Sequence, residues 1–195
     1  MIRRSLRSIM LFAIVVSGFY ATPQTASKGK TDASAGIATK ISAEIATKIL
    51  TAPEAAKFLP ATVFFQGQTA AIQARNSGGV QFANDSLLLV TLVDTTGYSS
   101  SMQQKYQAYL ITETPIDIGG HRLEPGAYGC GFLAGDTFVV MDIGGHDLFS
   151  VRSARDAELR RPMPLQLLPA PDGAGYRLYV GREFVHIAQA SPPMH

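Results

Sequence analysis

The chain has 195 residues, 46% of them hydrophobic, with 17 Lys and Arg against 15 Asp and Glu and a formal net charge of +2. Arg3, Arg4 and Arg7 crowd the N-terminus, which leaves 14 basic against 15 acidic side chains in the rest, without the surplus of Lys and Arg that neutralises nucleic-acid phosphates. The single cysteine, Cys130, allows no intramolecular disulfide, so stability must rest on a packed core.

Residues 1–21 pass from the three arginines to an apolar run, Ile9 to Val16, and then to small side chains. That order is the pattern of a secretory signal peptide. The run is shorter than the roughly 20 residues of a membrane-spanning helix, and Ser17, Gly18, Thr22 and Pro23 follow it closely. It therefore reads as a cleavable leader, cut after Gly18 or Ala21, with no membrane span in the mature chain. No cysteine lies near either point, so a lipoprotein anchor is not expected and the predicted location is secreted or periplasmic. Residues 22–35 are small and polar and read as a disordered linker.

Residues 36–59 read as an amphipathic helical segment. Ile37-Ala38-Thr39-Lys40-Ile41 recurs as Ile45-Ala46-Thr47-Lys48-Ile49, and isoleucines four apart fall along one helix face. The segment would dock on the protein's own domain or be left partly ordered, or would lie on a membrane or a partner helix. Thr51-Ala52-Pro53-Glu54 marks the start of a further short helix, with a threonine cap, an early proline and a glutamate three residues on.

From Pro60 the pattern turns to β. Strands are predicted at 62–65, 69–75, 80–82, 87–93, 106–112, 116–118, 122–123, 127–133, 137–143, 147–151, 165–168, 176–180 and 183–188. Between them lie turn signals such as Asn76-Ser77-Gly78-Gly79, Asn84-Asp85 and a polar loop from Thr95 to Ser101. Many short strands with frequent turn residues indicate an all-β domain over 60–190, a sandwich or small barrel of antiparallel strands. Leu87–Val93 is apolar on both alternating faces and should be an internal strand. Tyr176–Val180 and Glu183–Ala188, divided by Gly181-Arg182, form a tight hairpin. An outer-membrane barrel needs strands of about 9–11 residues, longer than most of these. Residues 191–195 read as a flexible tail.

Two kinds of residue stand out as site candidates. Asp117-Ile118-Gly119-Gly120-His121 recurs as Asp142-Ile143-Gly144-Gly145-His146. Asp117, His121, Asp142 and His146 could supply metal ligands, while the same spacing is explained by two glycine hairpin turns flanked by polar residues. Tyr98, Tyr106, Tyr109, Tyr176 and Tyr179 combine an apolar body with a polar tip, as ligand-binding and interface residues do, and as half-buried strand residues also do. Nucleophile patterns are not met: Gly97-Tyr98-Ser99-Ser100-Ser101 lacks the second glycine of a nucleophile elbow, and Lys105 lies four residues after Ser101 instead of three. No motif calls for a cofactor. Cys130 reads as a small apolar strand residue, and His186 as a structural histidine.

The block Ile116-Asp117-Ile118-Gly119-Gly120-His121-Arg122-Leu123-Glu124-Pro125-Gly126-Ala127-Tyr128 resembles the I-x-I-G-G-x-x-L-x-P-G-x-Y hairpins of uncharacterised bacterial exported domains. Val63-Phe64-Phe65, Arg75-Asn76-Ser77-Gly78-Gly79-Val80, Gln104-Lys105-Tyr106-Gln107 and Arg161-Pro162-Met163-Pro164-Leu165-Gln166 extend that resemblance over about half the chain. It implies an exported β-rich domain and brings no activity with it. The expected function is non-enzymatic binding of a small molecule, a glycan or an envelope protein outside the cytoplasm. The alternatives are a secreted hydrolase with a site assembled from loops, around Ser99–Ser101, His121, Asp142 and His146, and a structural envelope protein.

Overall fold

Alternating apolar side chains settle where each strand lies, because every strand buried on one face must find a second layer to cover it. The computed structural model describes residues 47–190. The expected leader, linker, C-terminal tail and all but the last part of the isoleucine repeat lie outside the described residues. In chain order the elements are β1 (Lys48–Leu50), α1 (Ala52–Ala55), β2 (Thr62–Phe65), β3 (Gln68–Gln81), β4 (Leu87–Val93), α2 (Ser100–Lys105), β5 (Ala108–Thr112), β6 (Ile116–Ile118) and β7 (His121–Leu123). They continue with β8 (Gly126–Leu133), β9 (Thr137–Met141), β10 (Asp147–Arg152), β11 (Ala154–Arg155), β12 (Met163–Pro169), β13 (Tyr176–Gly181) and β14 (Glu183–Gln189).

The strands form two open antiparallel sheets rather than a closed barrel. The larger has the order β1-β3-β4-β5-β8-β9-β10, with β2 added on β3; the smaller has the order β12-β13-β14-β6-β7, with β11 added on β14. The main core lies between them. Leu88, Val90, Leu110, Cys130, Phe138 and Val140 of the large sheet meet Ile116, Ile118, Leu165, Leu167, Leu178, Val185 and Ile187 of the small one. The opposite face of the large sheet is also covered. There β2 and the first part of β3 make a ribbon whose Val63, Phe65 and Ala70 pack over Tyr98, Tyr106, Tyr109, Val139 and Met141, and α1 adds Ala55 against Leu50 and Leu89. Being buried on both faces, β4 is the internal strand its composition predicts.

Most strand expectations hold, and β2, β4 and β6 match at both ends. The first repeat forms the β6–β7 hairpin, with Gly119 and Gly120 at φ 57° and 90°, the doubly left-handed turn that glycine admits without a Cβ clash.

Three expectations are corrected. Asn76-Ser77-Gly78-Gly79 is not a turn, because β3 runs through it to Gln81 with a register shift between Ile72 and Ser77. Gly79 is there for close approach: a Cβ would lie 2.6 Å from the Leu88 carbonyl oxygen. Lys48–Leu50 is not helical, because Ile49 pairs with Val80 at the sheet edge and Leu50 is buried; long-range pairing outweighs helical spacing. The polar loop from Thr95 does not reach Ser101, because α2 begins at Ser100 and Ser99 caps it by accepting from the Met102 N–H at 3.4 Å. The start signal at Thr51 does open α1, where the Glu54 carboxylate accepts from the Thr51 N–H at 2.9 Å and from its hydroxyl at 2.8 Å. The short strand β11 was not foreseen.

Candidate functional site

The five candidate tyrosines divide between two places. Tyr98, Tyr106 and Tyr109 are buried under the β2–β3 ribbon. Phe65 enters from β2 and lies parallel to the Tyr106 ring, with centroids 3.8 Å apart at 13°. Tyr98 meets Tyr106 edge-on at 5.2 Å, and its hydroxyl donates to the Phe65 carbonyl at 3.0 Å. This cluster is the second core, and its rings present no open face to a partner. Burial pushes the Tyr106 hydroxyl far above its ordinary range, and that oxygen has no hydrogen-bond partner among the described residues. An unpaired buried hydroxyl costs roughly 1–3 kcal/mol. Tyr106→Phe is therefore expected to leave the thermal midpoint unchanged or raise it, by up to about 1–3 kcal/mol in a denaturant titration.

The two Asp/His sets stay local. Asp117 Oδ1 accepts from the Gly120 N–H at 2.8 Å, and the His121 ring stacks on Phe149 of β10 with centroids 4.9 Å apart. In the second set, the Asp142 carboxylate lies 3.0 Å from His146 Nδ1 and Asp142 Oδ1 accepts the His146 N–H at 3.0 Å. The hydrogen bonds around Asp142, first the His146 N–H, hold its carboxyl below the usual range. Among the described residues no three His, Cys, Asp or Glu side chains converge on a point where a metal would sit. Cys130 is buried in the main core, and burial pushes its thiol up to about 12.

Tyr176 and Tyr179 lie on opposite faces of β13. Tyr176 turns inward, edge-on to Phe82 at 6.4 Å. Tyr179 belongs to the outward face of the small sheet, where alternation also places Gln166, Leu168, Arg177, Phe184 and His186. The chain between β11 and β12 folds against this face. The Tyr179 hydroxyl donates to Asp156 Oδ2 at 3.0 Å, and the Arg177 guanidinium lies 3.8 Å from the same carboxylate and 4.3 Å above the Phe184 ring. Arg182, in the β13–β14 turn, donates to the Asp156 and Ala157 carbonyls at 3.2 and 2.9 Å. His186 stands beside Arg177 in register, its Nε2 buried and unpartnered among the described residues.

Tyr179 is itself buried, so a ligand would meet the half-buried Asp156, Arg177, Phe184 and His186 that surround it; of this network only Tyr179 was singled out as a binding candidate by residue type. Asp156, Arg177 and Phe184 carry no local motif. The one available signal was alternation, which places Arg177 and Tyr179 on a common face of the terminal hairpin. Comparison with protein-family models, curated proteins and solved structures gives no match for this chain.

Proposed function

We propose that this protein is an exported, non-catalytic extracytoplasmic domain, a two-sheet sandwich that binds its partner on the outward face of the small sheet. The observation that carries the reading is the Asp156–Tyr179–Arg177–Phe184 network: the half-buried Asp156, Arg177 and Phe184 are fixed around the buried Tyr179 on the sheet, beside the half-buried imidazole of His186. Groups held in place this way lose little entropy when a ligand arrives. The N-terminal leader pattern supports export. The residues a loop-built hydrolase would need do not meet: among the described residues no hydrogen bond joins Ser99, Ser100 or Ser101 to His121 or to the Asp142–His146 pair. Ser99 caps α2 and hydrogen bonds Ser101 at 3.2 Å, His121 stacks on Phe149, and His146 pairs with Asp142 inside its own turn.

The test is an NMR titration of the full chain with a neutral and an acidic oligosaccharide, maltohexaose and hexagalacturonate. Amide shift changes should centre on β13, β14 and residues 156–161. Changes centred on the β2–β3 ribbon or the Asp142–His146 turn would refute the assignment of this face.

A further inference from the structure

Basic side chains are distributed unevenly over this protein. Residues 150–190 hold six arginines against four acidic residues, whereas residues 47–149 hold five basic against nine acidic ones. In the latter segment Lys48, Lys105 and Arg122 are taken up in ion pairs with Glu54, Asp147 and Glu124. The arginines behave differently. Arg152, Arg155, Arg160 and Arg161 are exposed, and none has an ion pair or a side-chain hydrogen bond among the described residues.

Strand register gathers them. Arg155 lies beside Glu183 on β14, and Met163 lies beside Gly181 on β13. The chain carrying Arg160 and Arg161 therefore closes against the β13–β14 turn, where the Asp156 N–H donates to the Arg182 carbonyl at 2.9 Å. Of the acidic residues at this end, Asp156 is already engaged by Tyr179 and Arg177. Glu158 and Glu183 are the other carboxylates at this end, so Arg155, Arg160, Arg161, Arg177 and Arg182 outnumber the acidic side chains five to three, and this excess of guanidinium groups borders the face proposed above as the binding surface.

We infer that the ligand of this face is an anionic polysaccharide, whose carboxylate or sulfate groups are gripped by Arg155, Arg160 and Arg161 at the end of the small sheet. This rests on the binding reading above. A guanidinium is planar, always charged and weakly hydrated, and it matches such groups with two parallel hydrogen bonds. A membrane surface fits less well, because interfacial binding buries apolar side chains among the headgroups. Of the exposed large apolar side chains among the described residues, Phe58, Phe64, Ile143 and Leu148 lie elsewhere in the chain and only Met163 adjoins the arginines.

The experiment uses the full chain, with heparin and hexagalacturonate as polyanionic probes, maltohexaose as the neutral control and phosphatidylglycerol vesicles as the lipid control. Heparin affinity is expected to fall at least about tenfold between roughly 0.05 and 0.5 M salt as the charges are screened. The triple variant Arg155→Gln/Arg160→Glu/Arg161→Glu, with glutamine at 155 so that no carboxylate is set opposite Glu183, should lose at least about tenfold in affinity at low salt with an unchanged thermal midpoint, because these side chains are solvent-exposed. The double variant Lys57→Glu/Arg75→Glu, remote in sequence and also exposed, should stay within about twofold. Equal loss in both variants, no loss in the triple, or tighter binding to vesicles than to heparin overturns the inference. Maltohexaose binding on β13 and β14 that the triple variant leaves intact would overturn it while preserving the binding face. Heparin-induced shifts centred away from the small sheet would overturn both.

Discussion

Replacing Phe65 by alanine is expected to destabilise the protein by about 3–5 kcal/mol, the usual cost of deleting a fully buried aromatic ring. For a chain of this size each kcal/mol lowers the thermal midpoint by roughly 2–4 °C. The ring has no exposed surface and makes two aromatic contacts, the parallel stack on Tyr106 at 3.8 Å and an edge-on contact with Tyr98 at 6.2 Å. It is also the largest apolar anchor of the β2–β3 ribbon, beside Val63 and Ala70, and hydrogen bonds add to it: the Tyr98 hydroxyl to the Phe65 carbonyl at 3.0 Å and the Gln66 N–H to the Ile143 carbonyl at 2.7 Å. The loss should appear in denaturant unfolding, and hydrogen exchange should show the amides of Thr62–Phe65 losing protection before those of β4 and β5. A cost below about 1 kcal/mol would mean that the ribbon does not rely on this ring.

That dependence could not be read from the sequence, although the strands themselves could. Period-two alternation and turn residues act locally, so they located β4, the Gly119-Gly120 hairpin and the terminal β13–β14 hairpin directly. They failed where a distant partner decided the outcome. Gly78-Gly79 has the composition of a turn, yet it lies within β3, paired with Val90 and Leu89 of β4, and at Gly79 the strand β4 approaches too closely for a side chain. The isoleucine spacing through Ile49 has helical period, yet Ile49 is paired with Val80. The site was less legible than the fold. Tyr98, Tyr106 and Tyr109 stood out as a group, but their ribbon cover comes from residues more than thirty positions earlier. Tyr179 meets Asp156 across 23 positions with no periodicity to announce it. The six arginines after residue 150 are visible as composition, but only the pairing of β11 with β14 and of β12 with β13 places them at one end of a sheet.

Gly131→Ala should match the Phe65 variant in severity, by the opposite mechanism. A Cβ at Gly131 would run into the carbonyl oxygen of Lys105, the last residue of α2, and would also stand 3.2 Å from the Gln107 amide carbon. The first obstacle is backbone, so no side-chain rotation relieves it. The Gln107 amide is fixed as well, donating to the Phe132 carbonyl at 2.8 Å and accepting from the Phe132 N–H at 3.0 Å. Alanine must push the end of α2 outward and break both bonds, and Tyr106, the residue after α2, moves with it. Overpacking costs roughly 1–3 kcal/mol and each lost hydrogen bond about 1 kcal/mol, so a total of about 3–5 kcal/mol is expected. Gly97→Ala supplies the control. Its Cβ would meet only the Gln68 side chain at 3.5 Å, an ordinary contact, and this substitution should change stability by less than about 1 kcal/mol. If both alanine variants unfold at the same denaturant concentration as the parent, α2 does not press on β8 at Gly131, and the close approach that brings Tyr106 under the ribbon is wrong.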